Sequence, residues 1–183
     1  MTSVVALWRR LDVPGHDACR LDEEIDAWRL HGTAVFRHES SSACLDYRVD
    51  CDRSWRSRSA SVRGWIGTRL VEIVVVRRDD RWMLNGALVQ GLDDCVDVDF
   101  GFTPATNLLQ LRRIALATGE SADVPVAWLD VPAGTLLRLE QRYRRITEER
   151  YAYDAPRFAY HAELEVSPEG FARRYPGLWE LEG

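Results

Sequence analysis

Alternation with a period of two is the feature that most constrains this chain. Leu45, Tyr47, Val49 and Cys51 alternate with Asp46, Arg48, Asp50 and Asp52, so one face of an extended segment is apolar and the other polar. Phe158, Tyr160, Ala162, Leu164 and Val166 alternate in the same way against Ala159, His161, Glu163 and Glu165. A helix would scatter such residues around its circumference, whereas a half-buried strand sorts them onto two faces. The almost continuously apolar run Arg69–Val76 predicts a strand covered on both faces. Asp79-Asp80 and Asn85-Gly86 read as tight turns on either side of Trp82-Met83-Leu84. Val126–Val131 and Leu136–Ile146 are further strand segments, separated by Pro132-Ala133-Gly134. Strands joined by short turns predict an antiparallel all-β architecture.

Helical signals are few. Leu21, Ile25 and Trp28 fit a helical stripe, yet the pattern turns strand-like from Gly32. Thr103-Pro104 ahead of Leu108, Leu111 and Ala115 fits a helix with a threonine cap and proline at its first position. The same residues also fit a loop from Thr103 to Asn107 followed by a strand. A short helical turn is expected over Gly170–Tyr175. No repeat, low-complexity linker or composition break divides the chain, so residues 1–183 are expected to form a single domain, long enough to bury a core.

Composition narrows the chemistry. All 24 basic residues are arginine, which excludes Schiff-base lysines, the P-loop lysine and a lysine general base. A net charge of −5 argues against nucleic-acid binding driven by bulk charge. The apolar stretch Val4-Val5-Ala6-Leu7-Trp8 is too short for a signal peptide, and no apolar run approaches the roughly 20 residues of a membrane-spanning helix. Without a secretion signal, the four cysteines read as reduced, mostly buried thiols, and the expected location is cytoplasmic.

Several residues could carry chemistry. If Cys95–Phe100 is a strand, Val96, Val98 and Phe100 face the core while Asp97 and Asp99 share the other face, with Cα atoms about 6.6 Å apart. Such a pair suits a divalent cation or acid/base work on a glycosidic bond; paired with the nearby Arg112 and Arg113 it is instead a satisfied polar face. His161 lies on a polar strand face near Glu163 and Glu165, as a surface histidine or an acid/base group. His16 and Cys19 have no partners at zinc-site spacing, and there is neither a nucleophile elbow nor a glycine-rich phosphate loop. No metal and no cofactor are therefore expected. Seven tryptophans, several beside arginine, are more informative, because such faces stack on sugar rings and acyl chains. Period two puts Trp55, Ser57, Ser59, Ser61, Arg63 and Trp65 on one face, as a cavity lining or as core tryptophans covered by arginine stems.

The stretch Gly91-Leu92-Asp93-Asp94-Cys95-Val96-Asp97-Val98-Asp99-Phe100, then Thr103-Pro104-Ala105-Thr106-Asn107 and Arg112-Arg113, resembles the putative glycolipid-binding family of small bacterial proteins. Tyr47, Trp55 with Arg58, Ala127-Trp128, Gln141 with Tyr143, Tyr151-x-Tyr153 and Tyr175-Pro176 extend the likeness from about Trp8 to Trp179. The resemblance implies an all-β fold, a single strongly curved antiparallel sheet or spiral β-roll around an apolar interior, with few short helices. It also favours loop and strand over helix for Thr103–Ala117. The chain departs from the family pattern at Gln110, usually proline, at Asp94, usually glycine, and over Asp17–Asp26; the first departure keeps the helix open.

The expected function is non-enzymatic binding of an amphipathic small molecule, a lipid or glycolipid. Its acyl part would meet Tyr47, Val49, Phe158, Tyr160 and Leu164, and its headgroup Trp55 and Arg58 at the rim. The family signature Asp97, Asp99, Thr106, Asn107, Arg112 and Arg113 is either a structural corner or a polar mouth above the cavity. Two alternatives stand beside this: a hydrolase using Asp97 and Asp99 on a glycosylated or phosphorylated substrate, and an RNA- or protein-interaction module built on exposed Trp–Arg pairs. Long edge strands would allow a homodimer.

Overall fold

The computed structural model describes residues 2–182; the expected domain bounds at Met1 and Gly183 lie outside them. A meander of eight strands comes first: β1 (Ser3–Arg10), β2 (Gly15–Glu23), β3 (Ala27–His38), β4 (Ser41–Asp52), β5 (Ser57–Ile66), β6 (Arg69–Arg78), β7 (Arg81–Leu84) and β8 (Ala87–Val89). The chain then passes through β9 (Asp97–Phe100), α1 (Asn107–Ile114), β10 (Ser121–Asp123), β11 (Val126–Asp130) and β12 (Thr135–Leu139). A second meander follows: β13 (Arg142–Arg145), β14 (Arg150–Ala155), β15 (Tyr160–Val166), β16 (Ala172–Tyr175) and β17 (Trp179–Leu181), with a short 3-10 helix at Pro156–Phe158.

Fourteen strands form one antiparallel sheet in the order β10-β13-β14-β15-β16-β17-β1-β2-β3-β4-β5-β6-β7-β8. The two meanders join where β17 pairs with β1, in the register Trp8↔Leu181. A smaller sheet, β12-β11-β9, contains the parallel pair β9–β11. Adjacent residues of β9 are held from both meanders: Val98 N donates to Ser57 Oγ on β5 (3.1 Å), and Gln141, next to β13, donates to Asp99 Oδ2 (2.8 Å). Those two strands are nine places apart in the large sheet. Nine spacings on a flat sheet would separate them by roughly 43 Å. The sheet must therefore curl around β9 and α1, although its end strands do not meet to close a barrel.

The period-two pattern sorts the curled sheet into an inner and an outer face. Leu45, Tyr47, Val49 and Cys51 of β4 are buried, and the inward residues of the large sheet form one apolar cluster with the smaller sheet and α1. Gly32 on β3 makes room for Tyr47: a Cβ there would lie 2.5 Å from the tyrosine hydroxyl. Both hairpin turns around β7 form as expected, with Asp79, Asp80 and Asn85 in the left-handed region.

Several local expectations change. Strand β6 is not covered on both faces; Val71, Ile73 and Val75 point inward while Leu70 is 82% exposed. Leu136–Ile146 is two strands in different sheets, broken at Glu140-Gln141. Gly170–Tyr175 holds strand β16 in place of a helical turn. Residues 103–106 form a loop that turns at Ala105-Thr106, and Asn107–Ile114 is the α-helix, capped at its C-terminus by Ala115 in the left-handed region. The helix begins after Thr106, three residues beyond the cap expected at Thr103. On β5 the serine face points outward. Cys51 pairs with Ser57 but Asp50 pairs with Ser59, so Arg58 is an extra residue that reverses the phase. Ser57 therefore faces in, Ser59 and Ser61 face out, and Ala60, Val62 and Ile66 join the core. The sheet edges β8 and β10 are three residues each, not the long edges expected.

Candidate functional site: an aromatic-walled cavity

Strand β9 is buried on both faces because it lies inside the curled sheet, and its two aspartates meet different partners. Asp97 has no solvent exposure and takes a forked contact from Arg113 of α1, whose Nε and Nη2 reach its oxygens at 2.7–3.0 Å. Burial pushes its carboxyl above the usual range, and Arg113 pulls it back down. Asp99 has no arginine. Its Oδ1 accepts from Phe100 N (3.0 Å) and Thr106 Oγ1 (2.6 Å), and its Oδ2 from Gln141 Nε2 (2.8 Å). Burial raises its pKa against these hydrogen bonds.

Asp99 forms part of the wall of a cavity of about 370 Å³. Asn107 lies beside it and continues a buried relay. Asn107 Nδ2 donates to Tyr143 Oη (2.8 Å), Tyr143 donates to Gln141 Oε1 (3.3 Å), and Gln141 closes on Asp99. One side of the cavity is a tyrosine cluster from β14, β15 and β16: the rings of Tyr153, Tyr160 and Tyr175 lie 5.4–6.1 Å apart. Trp128 of β11 and Phe158, edge to face at 5.3 Å, also line the cavity, and Phe158 is half exposed. Trp179 and Leu178 complete the apolar lining. Tyr160 Oη donates to the Pro176 carbonyl (2.6 Å), and burial pushes its pKa up to about 12, so it stays neutral.

A second polar group stands behind the wall. Thr103, which lines the cavity, donates through Oγ1 to Asp17 Oδ2, and Tyr47 Oη donates to both oxygens of Asp17 (3.0 and 3.1 Å). Asp17 is buried, with no basic partner among the described residues. Burial pushes its pKa up to about 7, against the lowering effect of Thr103 and Tyr47.

Of the residues singled out in the sequence, Asp99, Asn107, Phe158 and Tyr160 come together in this cavity. Tyr47 lies behind it as a partner of Asp17, with its ring against Phe100 and Phe102. Asp97 and Arg113 form the buried pair just described. Arg112 donates to the carbonyls of Glu169 (2.9 Å) and Pro168 (3.4 Å) and covers Trp55. Trp55 stacks on Trp28 at 4.3 Å, and Arg58 is exposed on the outer face of β5, so neither lines the cavity. Of the expected acyl contacts, Phe158 and Tyr160 reach the cavity, while Val49 and Leu164 are closed core. His161 sits on the outer face beside Asp154 (2.5 Å). The family signature thus splits: Asp97 with Arg113 is a structural tie, and Asp99 with Asn107 opens onto the cavity. Trp128, Tyr153 and Tyr175 were visible only as pieces of the family likeness. Nothing in their neighbourhood in sequence marks them as neighbours in space.

Fold and cavity together define an all-β protein whose curled antiparallel sheet encloses an aromatic-walled, ligand-sized pocket. The chain belongs to the family described as "Putative glycolipid-binding", whose profile matches residues 5–181. It is also similar to a crystal structure, at 1.80 Å resolution, of a DUF1089 family protein from Pseudomonas aeruginosa. The two share 25% identity with a TM-score of 0.78, over 98% of this chain and 92% of that one. No curated protein matches the chain.

Proposed function

We propose that the chain is a non-enzymatic binding protein for an amphipathic small molecule, a lipid or glycolipid. The ligand would be held in the aromatic cavity of one spiral β-roll domain spanning residues 1–183. In this reading Asp99, Asn107 and Tyr160 meet the polar end of the ligand, Trp128 and Phe158 stack on its apolar part, and the protein works in the cytoplasm. The supporting observation is the cavity itself, with its few convergent polar groups in an aromatic lining. Its volume sits at the low end of the roughly 300–1,000 Å³ of small-molecule sites. That space accommodates a headgroup and the adjoining methylenes, and the half-exposed Phe158 lets the remaining chain leave the cavity. The family description points the same way.

Hydrolysis by two carboxylates is less well supported, because both acids must reach one bond. Asp97 is fully buried and forked by Arg113, which leaves Asp99 alone at the cavity. Native mass spectrometry of freshly purified protein tests the binding reading. A co-purifying amphiphile, or uptake of an added one that Phe158→Ala weakens, supports it; a clean apo mass with no uptake overturns it.

A further inference from the structure

Buried acids concentrate at this cavity: of Asp17, Asp97 and Asp99, Asp99 lies in its wall and Asp17 just behind it. Two buried carboxyls, Asp99 in the wall and Asp17 one hydrogen bond behind Thr103, have no basic partner among the described residues, which include all 24 arginines. Asp97, only two residues from Asp99, receives Arg113. A buried carboxylate without a counter-charge is costly, and proteins normally pair it. Among the described residues no arginine or histidine lines the cavity; Arg157, exposed beside Trp128, is not part of the wall. A phosphate or carboxylate headgroup would therefore meet buried acids and no counter-charge in a low-dielectric space, whereas a cation would supply the counter-charge that lets Asp99 ionise.

The walls favour the opposite sign. The rings of Tyr153, Tyr160, Tyr175, Trp128 and Phe158 surround one space. Aromatic faces attract an organic cation, most strongly when it leaves water. Asp99 accepts three hydrogen bonds from the protein, and a carboxylate has about four acceptor positions, so one on Oδ2 is left for a ligand. We infer that the polar end of the amphiphile bound in this cavity is an organic cation, an amine or quaternary ammonium, enclosed by the aromatic rings and neutralised by Asp99. This rests on the binding reading above and refines it.

The test compares three probes of one chain length on the unmodified protein by titration calorimetry below micelle formation: dodecyltrimethylammonium, dodecyl glucoside and dodecyl phosphate. The shared chain cancels the apolar contribution. The ammonium should bind about tenfold tighter than the glucoside, which corresponds to about 1.4 kcal/mol, and the phosphate should bind weakest. Asp99→Asn should remove most of the ammonium's advantage over the glucoside, and an advantage that persists in the folded variant overturns the assignment of Asp99 as the counter-charge. Should that variant not fold, the ranking on the unmodified protein still decides. A glucoside or phosphate that binds as tightly as the ammonium overturns the cation assignment and leaves amphiphile binding standing. Failure of all three probes to bind overturns both.

Discussion

Thr103 Oγ1 donates to Asp17 Oδ2 across 86 residues of chain and ties strand β2 to the wall of the cavity. Through this bond the buried carboxyl at position 17 shares an environment with the site, although Asp17 itself never reaches solvent.

The same contact makes stability depend on pH. Asp17 titrates near 7 in the folded chain and near 3.8 when unfolded. Between those values the unfolded chain has released a proton that the folded chain keeps, so stability falls as pH rises from about 4 to about 7 and then levels. Asp22, lowered to about 2 chiefly by Ser3, has the opposite sign and loses its contribution only below about pH 4. Urea unfolding should therefore show a lower midpoint at pH 8 than at pH 5. Asp17→Asn should flatten that difference and raise the midpoint at pH 8, because Tyr47 and Thr103 oxygens can accept from the new amide. An unchanged slope in the variant would place the titration elsewhere.

Arg113→Ala leaves Asp97 buried and unpaired, and breaking one side of such a pair costs about 3–5 kcal/mol. Adding Asp97→Asn should recover more than half of that loss. A double-mutant cycle in urea checks it; purely additive losses would mean the two side chains are not coupled.

Ser57→Ala removes the acceptor for Val98 N–H inside the curled sheet. An unsatisfied buried donor costs about 1–3 kcal/mol. Ser59→Ala, on the outer face of the same strand, should cost less than about 0.5 kcal/mol. Equal losses at the two serines would contradict the phase reversal at Arg58.

The thiols should be inert in the native state. Cys19, Cys51 and Cys95 are buried, and burial pushes the latter two up to about 12. Titration with a chromogenic disulfide should label no more than Cys44 in the native chain and all four cysteines in denaturant.

Much of the fold was legible because strand faces are local. Alternation along β4 and β15 and the turn residues at Asp79-Asp80 and Asn85-Gly86 are decided within a few positions, and the family likeness supplied the curvature. The helix at Asn107–Ile114 was also visible in its apolar spacing, and the likeness pulled the reading away from it. Gln110, where the chain departs from the family pattern, lies inside that helix. The serine face of β5 misled because one bulged residue reverses every side chain beyond it.

The cavity was less legible. Asp17 alternates inward with Cys19 and Leu21, so its burial could have been inferred from period two, but its partners Thr103 and Tyr47 could not. By itself the sequence determined the apolar faces of β4 and β15, that strands dominate, and that no lysine chemistry is available, since these depend on residue type and near neighbours. Only the tertiary structure decided that Asp97 is closed by Arg113 while Asp99 opens onto an aromatic cavity. Curling brings strands that would lie tens of ångströms apart on a flat sheet against one buried segment, and a contact made by curvature leaves no mark in local spacing.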